Sequence, residues 1–163
     1  MTRFADLNTP ESFNDLLPSE QDALRLWVRL ALKPAKSIGG KCSHSYGLKH
    51  FAEDALGWYV SNGQLKGAML AEGYRWEQCE GTRRNPNPNW VFNSQRRCRH
   101  RMVSTRWDYR FNCPILEQRP SRYGDAFPTL CQASAAELAA FDQLNARAVA
   151  DRERADQRER GAE

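Results

Sequence analysis

Apolar residues recur at intervals of three and four along residues 19–33, which predicts an amphipathic first helix. We expect Ser19 to cap the start of this helix. Its end is expected at Lys33, because Pro34 disfavours a helical conformation at the residue before it. The apolar stripe consists of Leu24, Trp27, Val28 and Ala31.

Residues 43–73 predict two further helices, each followed by a glycine stop. The second helix begins at Ser43 or Ser45, and Gly57 is placed to end it in a left-handed conformation. The third begins with a capping box formed by residues 61–64 and closes at Gly73. The side of the third helix opposite its core positions carries small residues at every fourth position, which predicts close approach by a neighbouring helix or a partner backbone. These small residues are Gly63, Gly67 and Ala71.

The second half of the chain predicts strands followed by a long helix. Residues 74–79 and 90–92 are expected to form a hairpin around a turn rich in Asn, Pro and Arg. Residues 102–111 alternate between apolar and polar side chains, which is typical of a half-buried strand. The three strands are expected to form one antiparallel sheet. A capping box at residues 134–137 opens the C-terminal helix.

These elements predict an α+β fold with a helical front half, a three-stranded antiparallel sheet and a long C-terminal helix. We expect a flexible N-terminal segment (residues 1–17), a single domain (18–150) and a charged, fraying tail (151–163). Within the domain, residues 43–94 follow the order helix, short connection, capped helix and hairpin, which resembles a winged helix-turn-helix.

Charge is unevenly distributed along a chain whose net charge is only +4. Residues 80–125 contain ten Arg and four acids, a local charge of 10 − 4 = +6, whereas residues 1–22 hold one Arg and five acids. A basic segment of this kind favours a polyanion or an acidic protein surface as partner. The absence of a signal peptide and of a membrane-spanning run predicts a cytoplasmic protein with no membrane partner, whose five cysteines are reduced.

Ordered motifs in residues 20–94 resemble those of small, largely uncharacterised proteins of phages, plasmids and conjugative elements. This resemblance implies a mobile-element setting and no established activity. It does not extend to the longer turn at 80–89 or to the Arg-rich region after residue 94. The motifs are Ser45-Tyr46-Gly47-Leu48-Lys49-His50, Tyr59-Val60-Ser61-Asn62-Gly63-Gln64-Leu65-Lys66-Gly67-Ala68-Met69-Leu70, Gly73-Tyr74 and Asn89-Trp90-Val91-Phe92.

The winged-helix order and the basic segment together predict an accessory protein that binds nucleic acid, DNA in preference to RNA. The start of helix 61–72 would enter a groove, and the hairpin and the following Arg run would contact phosphates. The predicted contacts are Ser61, Asn62, Gln64, Lys66, Arg83, Arg84, Arg96, Arg97, Arg99 and Arg101. The opposing interpretation is a small α+β domain whose Arg residues form a solvated face.

The principal alternative is a small, non-enzymatic inhibitor of the anti-CRISPR or anti-restriction type, which binds a host defence or nucleic-acid-processing protein. Four tryptophans motivate this alternative, because tryptophan is enriched at interfaces, although Trp107 fits a core position. They are Trp58, Trp76, Trp90 and Trp107.

We predict no enzymatic activity, since no nucleophile elbow or phosphate loop is present, and we expect no cofactor. A zinc site built from Cys42, His44, Cys98 and His100 is a weaker possibility because its one-residue spacings are unusual. The sequence does not specify an oligomeric state.

Overall fold

The computed structural model describes residues 6–39, 42–80, 89–96, 106–108, 113–115 and 133–161. Its mixture of helices and short strands confirms the helical front half and the long C-terminal helix. The helices are α1 (Pro18–Ala31), α2 (Ser45–Leu56), α3 (Asn62–Ala71) and α4 (Ala135–Gly161). The strands are β1 (Leu32–Pro34), β2 (Trp76–Gln78), β3 (Trp90–Phe92), β4 (Ser94–Arg96), β5 (Arg106–Asp108) and β6 (Cys113–Ile115). Two 3-10 helices, Asp6–Asn8 and Pro10–Asp15, precede α1 and form what we call the N-terminal segment.

Helix α1 begins two residues earlier than the predicted cap at Ser19 implies. Leu17 is the N-cap residue, Pro18 occupies the first turn, and the Glu20 carboxylate accepts a 2.7 Å hydrogen bond from the Leu17 amide. Proline suits this position because its missing N–H would be unpaired there anyway. Ser19 therefore lies inside the helix and is not its cap. The predicted apolar stripe is buried, which confirms the inward face of α1.

The ends of α2 and α3 follow their local chemistry and confirm the predictions. Gly57 and Gly73 adopt φ angles of 76° and 78°, in the left-handed region that glycine enters without steric cost. At the start of α3, the Gln64 amide donates to the Ser61 hydroxyl (3.1 Å), and the Gln64 side chain accepts from the Ser61 amide (2.8 Å). This reciprocal capping box fixes where α3 begins.

The N-terminal segment packs along the glycine row of α3. A Cβ atom placed on Gly63 would lie 2.1 Å from the Thr9 carbonyl oxygen, and one on Gly67 would lie 2.3 Å from the Cβ of Phe13. The close neighbour predicted for this face is therefore the chain's own N-terminal segment, with its 3-10 helix Pro10–Asp15, and not a partner chain. Residues 6–15, which the sequence placed outside the folded domain, are part of it because only glycines let the two backbones approach this closely.

Strand pairing confirms the hairpin but does not show a three-stranded sheet. The described strands pair two by two, as β1–β4, β2–β3 and β5–β6, all antiparallel. β3 has β2 on one side, while residues 43–44 lie on the other, where the Phe92 amide donates to the Ser43 carbonyl. Among the described residues, β3 therefore has a neighbour on each side, and neither is the predicted third strand.

Asn93 connects the β2–β3 hairpin with the β1–β4 strand pair. Its side chain accepts from the Arg75 amide (2.7 Å) and donates to the Ala35 carbonyl (3.1 Å). Its backbone amide donates to the Arg75 carbonyl, and its carbonyl accepts from the Ala35 amide. Four hydrogen bonds at one residue thus hold the hairpin and the loop after β1 in a fixed relation.

Helix α4 starts at the predicted capping box, where the Ser134 amide donates to the Glu137 carboxylate over 2.7 Å. It remains helical to Gly161 instead of fraying after residue 150. Arg152 explains much of this length, since its guanidinium binds both oxygens of the buried Glu20 carboxylate. The pair anchors the distal half of α4 to α1.

One apolar core lies between the helices and β3. The largest fully buried side chains are Trp27, Phe92, Leu24, Leu32, Leu48, Leu65 and Met69. Among the helices of the described residues, none has the length and apolarity needed to cross a bilayer.

Candidate nucleic-acid interface

The β2–β3 hairpin presents an aromatic face built by strand register. Trp76 pairs with Phe92, and Gln78 pairs with Trp90, so these four side chains share one side of the ladder. Phe92 lies at the core end and is fully buried, whereas Trp76 is 42% exposed. The aromatic face therefore runs from the core to the solvent along two strands.

Trp76, Trp90 and Lys66 form a stacked column at this face. The Trp76 and Trp90 rings stack with centroids 3.7 Å apart and planes 8° from parallel. The Lys66 Nζ atom lies 4.6 Å from the centroid of the Trp90 ring. A cation over an aromatic face is an attractive contact, most favourable with tryptophan. Lys66 of α3 thus supports the inner end of the column, and Trp76 forms its solvent-exposed outer end.

Lys66 is held firmly although it is almost fully buried. Its Nζ donates a 2.8 Å hydrogen bond to the Asn8 carbonyl in the N-terminal segment. Burial lowers the pKa of the Lys66 ammonium below its ordinary value of 10.5, an effect that Cys79 partly opposes. Burial likewise raises the pKa of the Cys79 thiol, against the influence of Lys66. The base of the column is therefore a dry environment.

The predicted contacts at the start of α3 do not form a free surface. Ser61, Asn62 and Lys66 are buried, and Gln64 is half-buried with its side chain in the capping box. Asn62 donates to the side chains of Asn8 and Asn89. As folded, α3 cannot place these groups in a groove, because the N-terminal segment covers its glycine row. Their chemistry is internal: a helix cap, a bond to the N-terminal segment, and the support of Trp90.

The predicted arginines fall mostly outside the described residues. Arg83, Arg84, Arg97, Arg99 and Arg101 lie there, and for Arg96 the structure gives only its backbone pairing with Leu32. Their roles as phosphate contacts stay predictions. The structure does bring the strand that carries Arg96 next to β1, at the base of the hairpin.

Three other cations lie near the hairpin base and were not among the predicted contacts. Lys33, Lys36 and Arg75 are exposed, and a 2.6 Å hydrogen bond from the Arg75 guanidinium to the Lys36 carbonyl holds two of them together. Within the described residues, none of the three has a carboxylate close enough for an ion pair. The sequence signal that could have found two of them is the run of lysines just after the first helix, at Lys33 and Lys36.

A second polar cluster lies on α2, around the resemblance motif. The Glu53 carboxylate binds Lys49 and His50, each over 2.8 Å, and also accepts from the Val60 amide. Lys49 lies over the Tyr59 ring. Burial raises the pKa of the neighbouring Asp54, while His50 opposes the rise. This cluster ties α2 to the connection before α3, so most of its members act within the fold.

Two of the four residues of the possible zinc site, Cys42 and His44, lie in the described part of the chain. The Cys42 thiol points to the Ser37 carbonyl at 3.6 Å, and His44 is exposed with its backbone bridged to Val91. Cys98 and His100 lie outside the described residues. In the portion of the chain described, no three His, Cys, Asp or Glu side chains are grouped to hold a metal.

Comparisons of the chain with family models, with curated proteins and with solved structures each found no match. The resemblance of its motifs to proteins of mobile elements therefore stays a hypothesis.

Proposed function

We propose that the protein binds nucleic acid through the β2–β3 hairpin and the cations at its base. The observation that carries this proposal is that Lys33, Lys36 and Arg75 are exposed near the base of the hairpin and have no ion-pair partner among the described residues. Uncompensated cations next to an exposed aromatic ring suit a phosphate backbone with its bases.

Several other cations of the described structure, unlike those at the hairpin base, are paired with carboxylates. Arg25 and Arg29 share the Glu72 carboxylate, at 2.7 and 2.8 Å. On α4, Arg152 binds Glu20, and Arg147 and Arg154 bind Asp151. These pairs reduce the positive charge on α1 and on the middle of α4, whereas Arg158 and Arg160 at the end of α4 have no carboxylate within ion-pair distance among the described residues.

The Arg-rich sequence on both sides of β3 fits the same surface. Arg83 and Arg84 belong to the connection between β2 and β3, and Arg96 ends β4. In this proposal they extend the cationic surface along the nucleic acid. Helix α3 supports the hairpin instead of entering a groove, which replaces the winged-helix docking mode expected from the order of the elements.

The test is a titration of single-stranded and duplex DNA at several salt concentrations. The double variant Lys36→Ala with Arg75→Ala should bind more weakly and show a salt slope smaller by about 2, because two phosphate contacts are lost. The matched control is Arg147→Ala with Arg154→Ala, which removes the same charge from α4. No binding at low salt, or an equal loss in the control, would contradict the proposal.

A protein-binding inhibitor remains the second candidate, favoured by two exposed tyrosines. Tyr46 and Tyr59 are 53% and 66% exposed and flank Lys49, at 5.8 and 4.8 Å from its Nζ. Tyrosine is enriched at interface hot spots. A host protein captured from nuclease-treated lysate by the wild type, and not by the Tyr46→Ala, Tyr59→Ala double variant, would support this role. Capture that survives the double variant would exclude this surface.

A further inference from the structure

We infer that Trp76 is a stacking platform for an unpaired nucleobase, so that the nucleic acid taken by the hairpin is single-stranded. This inference rests on the proposed function and names the class of ligand for the same surface. It starts from the column Lys66–Trp90–Trp76, in which each member covers one face of the next.

Trp76, the outermost ring of the column, has one aromatic face that Trp90 does not cover. Trp90 covers one face of the Trp76 ring at 3.7 Å, so the 42% exposure of Trp76 comes from its opposite face and its edges. In the part of the chain that the structure describes, no hydrogen-bond acceptor binds the indole N–H of Trp76. A large flat apolar surface thus remains in contact with water at the end of a rigid stack.

The fold itself does not require this exposed ring. Phe92 already anchors the hairpin in the core, and the ladder hydrogen bonds fix its register. Proteins that bind single strands combine aromatic side chains of this kind with nearby cations. Support from Lys66, which is bonded to Asn8, keeps Trp90 and therefore Trp76 in place before any ligand arrives.

A nucleobase fits this platform better than a paired duplex does. Every base has a π-face that can stack on an aromatic side chain, and such stacking contributes roughly 1–3 kcal/mol per base. Bases within a duplex are already stacked and paired, so they reach a flat exposed ring only after being displaced. The platform therefore selects a single strand, a loop or an end.

The edge position of β2 lets one strand use both the ring and the cations. Among the described residues, β2 pairs only with β3, so its other edge is open. Arg75 and Trp76 are successive residues and their side chains leave the strand in opposite directions. A single strand crossing this edge can stack a base on Trp76 while its backbone passes Arg75 and Lys36.

The experiment compares three ligands of equal length: a single strand, its duplex, and a strand with abasic sites. Wild type and Trp76→Ala are titrated with each by fluorescence anisotropy. Trp76→Ala should weaken single-strand binding by roughly 5- to 150-fold, the equivalent of one lost base stack. Its duplex and abasic affinities should change less than about twofold, and its salt slope should be unchanged because no phosphate contact is removed.

Two matched variants separate stacking from other effects. Trp76→Phe keeps an aromatic face and should recover part of the lost affinity, while Tyr59→Ala removes an exposed aromatic elsewhere and should leave binding intact. Unfolding curves of all variants establish that each is folded. Single-strand affinity that Trp76→Ala leaves within twofold, or that falls equally with the abasic ligand, overturns the platform alone. Failure of the wild type to bind any of the three ligands overturns the proposed function and the platform together.

Discussion

The outer surface of α3 and the outer surface of the β2–β3 hairpin carry similar chemistry but have opposite relations to solvent. Both present polar side chains next to small or aromatic ones, and the sequence predicts nucleic-acid contacts for both. The glycine row of α3 is covered by the N-terminal segment, with a Cβ on Gly63 meeting backbone at 2.1 Å. The hairpin instead ends in Trp76, 42% exposed.

The difference shows how the hydrogen-bonding groups at a helix start can be used within the fold. Ser61 caps α3, the Asn62 amide nitrogen donates to Asn8, and Lys66 supports Trp90, so the donors of Asn62 and Lys66 and the Ser61 hydroxyl have partners within the chain, whereas the Asn62 Oδ1 atom has none. Buried polar groups need such partners, because leaving one unpaired costs roughly 1–3 kcal/mol. The hairpin cations have no comparable carboxylate partner in the described structure, and this makes that surface the better candidate.

The largest expected effect comes from comparing the stability of variants at the buried and the exposed ends of the hairpin's aromatic face. Phe92→Ala should lower the free energy of unfolding by about 3–5 kcal/mol, because Phe92 is fully buried in the core. Trp76→Ala should cost only about 1 kcal/mol, the value of an exposed aromatic pair. Urea denaturation of both variants measures this. Similar losses would mean that Trp76 is part of the core and is not free to bind.

The covered surface of α3 can be probed with one methyl group. Gly63→Ala should destabilise the protein by about 3 kcal/mol, because the new Cβ collides with the Thr9 carbonyl and Ser12 Oγ, at 2.1 and 2.4 Å. Gly47→Ala is the control: it lies in α2 with nothing within 4 Å of the added carbon, and should stabilise by up to about 1 kcal/mol. Denaturant midpoints give both values. If the two substitutions had effects of the same sign and size, the N-terminal segment would not be packed as described.

The pH dependence of stability tests the dry base of the column. The pKa of Lys66 is lower in the folded state, so the unfolded chain binds more protons between that value and about 10.5, and Lys66 makes stability rise with pH there. Cys79 acts oppositely: its folded pKa lies above its ordinary value of 9.0, so stability falls as the unfolded thiol ionises first. The comparison is therefore best made in a Cys79→Ala background. There, adding Lys66→Met should remove the rise, measured by urea unfolding at a series of alkaline pH values. An unchanged pH profile would place Lys66 in water.

The smallest expected effect concerns a single cation of the open surface. Arg75→Ala should reduce the slope of log affinity against log salt by about 1 and leave sequence preference unchanged, since a phosphate contact carries no base information. Arg147→Ala serves as the control, because its guanidinium faces Asp151 on α4. Fluorescence titrations across a salt series measure both slopes. Equal slopes for the two variants would remove Arg75 from the interface.

Local sequence signals predicted the elements that depend on neighbouring residues. Gly57, Gly73 and the capping boxes at Ser61 and Ser134 end or begin helices as expected, because their hydrogen bonds close within a few residues. The β2–β3 hairpin followed from its apolar runs and intervening turn. These features require no knowledge of the rest of the chain.

Contacts between distant residues were not accessible in the same way. The glycine row predicted a close neighbour, but spacing alone could not identify residues 6–15 as that neighbour. Similarly, the charge pattern of α4 suggested a fraying end, because its apolar period fades after residue 150. The bond between Arg152 and Glu20, 132 residues apart, overrides that local signal. The stacking of Trp76 on Trp90 likewise depends on strand register, so the sequence marked the two residues without showing their column.

The order in which the chain is synthesised gives the N-terminal segment one further property. Residues 6–15 leave the ribosome before α3: Ser61, which faces Ser12, lies 49 residues later, and Lys66 is 58 residues from Asn8. The segment must therefore wait, without its docking surface, until α3 has been made and folded. Closing so long a loop is entropically costly, which places this step late in folding. During that interval the glycine row of α3 is exposed in every newly made chain. The N-terminal segment of one chain could then dock on the α3 of another, which would produce a domain-swapped dimer.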